Sequence, residues 1–289
     1  MFAACSPQDG FGLASCSSRG LPPVSPASDP STVLTFAHRG GKLSLTLRHC
    51  AHQSAHTGGH VWSGSRHLSR WLFARRHLLP GQRVLELGCG LALPGLLAAT
   101  LGATVVATDE LNALVEHGRR HTAAGVDAGR LTMQRLDFTA RRDVLRLVDD
   151  DWDLIMFADC VFGGRMGELL PHALCELLRG RPGRRAVGTF PSEIRAGITA
   201  FWEQAAAVGL EWEEQPPTDE AGQLLAEAAA DSRWGHLYIF TAPAGAKPRE
   251  GWGEEEEAED VALGLAPLFD EVERGGDGGM DAGGLLDLS

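Results

Sequence analysis

Two glycines one residue apart, in Val84-Leu85-Glu86-Leu87-Gly88-Cys89-Gly90-Leu91, close an apolar run and precede a stretch with helical spacing. Without a Cβ, such a turn lets the backbone approach a ligand closely, and the helix start behind it presents free N–H groups. Glu86, Gly88, Cys89 and Gly90 are therefore cofactor-binding candidates. A dinucleotide fingerprint would carry its third glycine at position 93, where Leu93 stands; that glycine allows close packing around a pyrophosphate. The pattern suits S-adenosyl-L-methionine, an adenosine cofactor without phosphates. Asp109 ends the run Val105-Val106-Ala107-Thr108 and can accept hydrogen bonds from both ribose hydroxyls, or cap the helix that begins near Glu110. Asp137-Phe138 follows a third run, where the ring can lie against adenine and the carboxylate can accept from its amine. A fourth run closes with Met156-Phe157-Ala158-Asp159-Cys160-Val161-Phe162, which places Asp159 beside the expected methionine end of the cofactor.

Positioning these residues requires strands whose carboxyl ends share one edge, the edge where open α/β sheets bind ligands. The alternation of short β-branched runs with amphipathic stretches predicts that fold class: a Rossmann-like, mainly parallel, seven-stranded sheet with helices on both faces. Strands are expected at Arg83–Leu87, Thr104–Thr108, Leu131–Leu136, Asp153–Phe157, Arg185–Phe190, Leu210–Glu214 and His236–Thr241. Helices are expected at Ser65–His77, Pro94–Leu101, Glu110–Ala124, Arg165–Arg179, Ile194–Val208 and Asp219–Ala230. Val33–Ala37 and Lys42–Leu47 flank His38-Arg39-Gly40-Gly41 as an N-terminal hairpin.

The domain is expected to cover residues 31–245, between a disordered extension at 1–30, rich in Ser, Pro and Gly, and an acidic disordered tail at 246–289. Residues 250–289 hold 13 acids and one base, Arg274, which accounts for the net charge of −12 and leaves the remainder balanced. The balance argues against a nucleic-acid surface and makes a basic partner for the tail an expectation. That tail is expected to be dispensable for cofactor binding. No apolar run reaches the roughly 18 residues of a membrane span, and neither a secretory signal nor a transit peptide is expected of residues 1–28, which lack a basic n-region, an unbroken apolar run and repeated bases. The six cysteines show no Cys-x-x-Cys spacing and need no disulfide framework, so a reducing compartment, cytoplasmic or also nuclear, is expected. His49, Cys50, His52, His56 and His60 match no common zinc spacing, and no metal is expected.

Four segments together resemble the family-16 protein-lysine methyltransferases, a group of class I enzymes. They are Gly59-His60-Val61-Trp62 leading into Leu68-Ser69-Arg70-Trp71-Leu72, the loop Glu86-Leu87-Gly88-Cys89-Gly90, the step Leu136-Asp137-Phe138, and Ala158-Asp159-Cys160-Val161-Phe162. The likeness spans about residues 32–243. It implies transfer of methyl groups to a lysine of another protein, with cofactor contacts from Trp62, Gly88, Cys89, Gly90, Asp109, Phe138 and Ala158. It implies catalytic roles for Asp159, which would aim the acceptor amine, and Phe162, which would wall its channel. Phe138 stands where the family usually has Trp, and Phe162 where it usually has Tyr, so an indole donor and an orienting hydroxyl are missing. Arginine, histidine or a small-molecule amine remain alternative acceptors, and a non-catalytic cofactor-binding module remains a further alternative.

Overall fold

The computed structural model describes residues 31–48, 57–122, 130–192, 195–218 and 235–254. Nine strands and six helices run along these segments: β1 Ser31–His38, β2 Gly41–Arg48, α1 Ser63–Ala74, β3 Arg83–Leu87, α2 Leu93–Thr100, β4 Thr104–Asp109, α3 Asn112–Thr122, β5 Leu131–Arg135, α4 Arg141–Leu145, β6 Leu154–Ala158, α5 Gly164–Leu178, β7 Arg185–Phe190, α6 Ile198–Ala207, β8 Glu211–Gln215 and β9 His236–Thr241. Seven strands form one sheet in the order β5-β4-β3-β6-β7-β9-β8, parallel from β5 to β7, with β9 antiparallel to β7 and β8 antiparallel to β9. This is the Rossmann-like fold expected from the alternating pattern. The hairpin β1–β2 forms a separate two-stranded sheet and packs Phe36 against Phe73 of α1, ring centres 6.0 Å apart.

The central strands read as nearly continuous apolar runs because both faces are covered. Successive residues alternate between two cores. Val84, Met156 and Val187 join the layer beneath α1 and α2, while Leu85, Ile155, Phe157 and Ala186 join the layer beneath α5 and α6. The outer strand β8, by contrast, exposes Glu211, Glu213 and Glu214, a charge row suited to an edge.

Several boundaries differ from the sequence expectation for local reasons. Helix α1 stops at Ala74, where Arg75 leaves helical geometry at φ −106° and ψ 21°, and the chain continues through a 3₁₀ turn at Arg76–Leu78. Helix α3 starts at Asn112 rather than Glu110, since the Asp109 carboxylate takes the Leu111 N–H at 3.1 Å. Helix α6 starts at Ile198 rather than Ile194. Gly197, with φ +92°, abuts Gly163 so closely that a Cβ would lie 2.1 Å from the Gly163 carbonyl oxygen. The short α4 was not anticipated, and the helix expected at Asp219–Ala230 lies outside the described residues.

The expected start of the tail at 246 is corrected. Ala246 is buried, and Trp252 is fully buried in the α5–α6 core. Its indole stacks on His172 at 5.8 Å and donates to Glu176 Oε1 at 3.4 Å, while Arg141 of α4 bonds Glu254 at 3.0 Å. Composition concealed this strap, since a single apolar residue among Gly, Pro and Glu carries no periodicity. The expectations for 1–30 and 255–289 fall on residues that are not described.

Candidate cofactor site

The site is built where β3, β4, β5, β6 and β7 end. After β3, Gly88 and Gly90 adopt φ +59° and +53°, which glycine reaches without steric cost. Space requires them too: a Cβ on Gly88 would meet Cys160 Sγ at 2.7 Å, and one on Gly90 would meet the Gly58 carbonyl oxygen at 2.7 Å. The Cys89 N–H donates to the Thr108 carbonyl at 2.8 Å, which ties the turn to β4. Asp109 at the end of β4 then accepts from the Gly90 N–H at 2.9 Å and the Leu111 N–H at 3.1 Å. A carboxylate has about four lone-pair positions, so acceptor capacity is left for hydroxyls of a ligand. Burial pushes the Asp109 carboxyl above the usual range, and the Leu111 and Gly90 amides hold it down.

After β5, Asp137 Oδ1 accepts from the Thr139 N–H at 2.8 Å and its hydroxyl at 2.6 Å, closing a tight turn that presents Phe138. After β6, Asp159 is 6% exposed and has left-handed backbone at φ +56°. Its Oδ2 accepts the Gly64 N–H from α1 at 2.7 Å, whereas Oδ1 has no hydrogen-bond partner. Burial raises its pKa, opposed by Gly64 and by Arg195, whose Nη1 lies 4.0 Å from Oδ1. Arg195, from the segment after β7, also places its guanidinium 5.3 Å from the centre of the Trp62 ring.

These groups converge on one cavity of about 970 Å³, open mouth included. Trp62, Gly88, Cys89, Gly90, Asp109, Asp137, Phe138, Ala158, Asp159 and Phe162 all line it. Trp62 and Phe162 stand at 39% and 47% exposure, which makes them walls of the mouth and not core. Glu86 is the expected cofactor contact that the structure moves elsewhere. It is 2% exposed, absent from the cavity wall, and would lie 2.3 Å from a Cβ on Gly95 of α2. Its place behind the turn follows from strand alternation: Leu87 and the glycine loop, not Glu86, reach the strand end. Cys89 and Cys160 are buried thiols pushed upward chiefly by burial. His49, Cys50, His52 and His56 lie outside the described residues, and no group of metal-ligating side chains occurs among those described.

Burial, reinforced by Asp109, raises the Glu86 carboxyl to about 8, with the Gly95 amide opposing. Its folded pKa thus exceeds its unfolded value. The stability it contributes is present below about pH 4.5 and is lost as pH rises through about 8. Glu86→Gln, which keeps the shape without the charge, is expected to flatten the fall in melting temperature across that window. Identical pH profiles for the two proteins would refute the assignment.

Arg195, Gly58 and Gly64 escaped sequence reasoning. Arg195 follows β7, and the rule that ligands gather at strand ends was the available pointer to it. Gly58 and Gly64 work only through close approach to distant backbone and side-chain atoms.

The arrangement meets what an adenosine cofactor requires: a glycine cradle, a carboxylate with free lone pairs, an aromatic wall and, at the far end, an unsatisfied buried acceptor. A profile of the family described as lysine methyltransferase matches residues 42–188. Over 52 residues the chain is 46% identical to the histone-arginine methyltransferase METTL23 of Rattus norvegicus, covering 18% of this chain and 23% of that protein. Over 138 residues it is 28% identical to the electron transfer flavoprotein beta subunit lysine methyltransferase of Xenopus laevis, covering 45% and 54%. The chain therefore spans between about a quarter and a half of these curated relatives. A solved TehB-like SAM-dependent methyltransferase from Corynebacterium glutamicum superposes with a TM-score of 0.46 at 19% identity, covering 64% of this chain and 90% of that one. The cofactor of this family is S-adenosyl-L-methionine. With a profile match over more than half its length, on the segments that build the cavity, the chain belongs to the lysine methyltransferase family.

Proposed function

We propose that the protein is an S-adenosylmethionine-dependent protein-lysine N-methyltransferase. The observation that carries this reading is Asp159 Oδ1, a buried acceptor without a hydrogen-bond partner, in a residue that lines the same cavity as the glycine turn and the exposed ring of Phe162. When bound, the cofactor supplies an electrophilic methyl group on a sulfonium. Asp109 and the amides around Gly88–Gly90 hold the nucleoside, and Phe138 covers its base. Asp159 accepts an N–H from the entering amine and turns the nitrogen lone pair inward, while its Oδ2 stays fixed by Gly64. The amine must be neutral to attack, so its proton leaves through the open mouth beside Phe162. Positioning and exclusion of water, rather than a strong base, supply the rate in such a displacement.

An arginine acceptor is the second reading, favoured by the 46% identity to a histone-arginine methyltransferase over 52 residues. Tritium transfer from labelled cofactor into cell extract, followed by mass spectrometry of labelled bands, decides between them. Label on lysine is the expected result; label on arginine establishes the second reading. Cofactor binding without transfer to any protein would leave a non-catalytic binding module. Among the described residues no helix is long and apolar enough to cross a membrane.

Phe162→Tyr is expected to change the ratio of mono-, di- and trimethylated product at nearly constant cofactor affinity. The new hydroxyl, at a half-exposed position, can hold a partly methylated nitrogen with a net effect of ~1 kcal/mol. Asp159→Ala should instead depress turnover for every product. Unchanged ratios in a folded Phe162→Tyr protein would remove Phe162 from the acceptor channel.

A further inference from the structure

The cavity is electrically lopsided. Four carboxylates line it, from Asp109, Glu110, Asp137 and Asp159, and among the described lining residues Arg195 is the one with a permanent positive charge. The cofactor assigned above has a carboxylate of its own at its amino-acid end. Moving that group into a wall of four acids is unfavourable unless a cation receives it.

Topology fixes which end of the cofactor meets Arg195. Asp137 and Asp109 lie at the exits of β5 and β4, which places the adenosine there. β6 and β7 lie on the other side of β3, with Asp159 after β6 and Arg195 after β7. The Arg195 guanidinium leans back to within 4.0 Å of Asp159 Oδ1, two strand positions from β4. At ~4.8 Å per strand that is about 10 Å from the ribose-binding carboxylate, a span the amino-acid chain can reach. Two observations show that Arg195 is not consumed by its contact with Asp159. The 4.0 Å separation exceeds a hydrogen bond, and Oδ1 is left without a hydrogen-bond partner. The Trp62 ring braces the guanidinium at 5.3 Å, which holds the fork in place while leaving its edge N–H donors available.

We infer that Arg195, held against Trp62, forms the subsite for the carboxylate of the cofactor's amino-acid moiety. The neighbouring Asp159 Oδ1, without a hydrogen-bond partner, stays available to the entering amine. Arg195 discriminates the intact cofactor from nucleosides that share its adenosine and lack its acid.

This inference rests on the cofactor assignment, and decarboxylated S-adenosylmethionine, which keeps the sulfonium and the amine, separates the two. Calorimetry with both ligands on the wild-type chain, Arg195→Met and Arg195→Lys reads the subsite directly. The wild type should bind S-adenosylmethionine at least tenfold tighter than the decarboxylated form, since charge-assisted hydrogen bonds carry the difference. Arg195→Met should collapse that preference to within about twofold by losing affinity for the intact cofactor, with affinity for the decarboxylated ligand unchanged or improved. Arg195→Lys should recover part of the preference. Equal weakening of both ligands in Arg195→Met, or a preference that survives it, would overturn the inference and leave Arg195 as a support for Asp159. Failure of the wild type to bind either ligand would overturn the cofactor assignment and this subsite together.

Discussion

Asp109→Ala is expected to weaken S-adenosylmethionine binding by tenfold or more. Two ribose hydroxyls donating to one carboxylate contribute ~1.5–3 kcal/mol each. The structure adds a second consequence. Because the same carboxylate holds the Gly90 and Leu111 N–H groups, alanine leaves both amides to solvent and loosens the turn that must cradle the ligand. The variant should therefore also melt earlier without ligand, by ~1–3 kcal/mol of lost hydrogen bonding. Asp109→Asn separates the two effects. Its one acceptor oxygen can hold only one of the two amides, while its NH2 faces the other, so part of the stability should return while affinity stays reduced. Calorimetry together with ligand-free melting curves tests both. Wild-type affinity in a folded Asp109→Ala protein would remove the ribose assignment.

Trp252→Ala should be the most damaging single change to stability. The side chain is fully buried among residues of α5 and α6, and truncating a buried tryptophan costs about 3–5 kcal/mol. For a domain of this size that corresponds to a fall in melting temperature of roughly 6–20 °C. The indole also covers Glu176, which is 3% exposed and lies 3.5 Å from Arg141 Nε, so the variant opens a buried ion pair to water. Gly253 sits against the Thr139 carbonyl, where a Cβ would come within 2.5 Å, and Thr139 lines the cofactor cavity. Loss of the strap should accordingly weaken cofactor binding as well as the fold. Two truncations give an independent measure: ending the chain after Gly245 should reproduce the loss, and ending it after Glu254 should not. Equal melting temperatures for the two truncations would show that the strap adds nothing.

How much of this was legible before the fold is clearest from particular residues. Gly88, Gly90, Asp109, Asp137, Phe138 and Asp159 each follow a recognisable strand. A strand end is a local event, written in a few consecutive residues, so their convergence at one sheet edge required only that the strands be parallel. The seven strands and the hairpin were readable for the same reason, since periods of two and 3.6 residues are properties of short windows. What lay beyond the sequence depends on contacts between distant segments. Glu86 stands next to the glycine turn in the chain, yet pleating aims its side chain beneath α2 and away from the ligand wall. Arg195 sits in an unremarkable stretch and becomes the cation of the cavity only because β7 packs beside β6 and Trp62 arrives from the far N-terminal side. Trp252 reads as part of an acidic tail, and its burial is decided by its seat against His172 and Glu176 of α5. The strand-end residues were determined by local pattern. The wall's charge balance and the true end of the domain were decided by packing, because burial and pairing energies belong to neighbours that only the tertiary fold brings together.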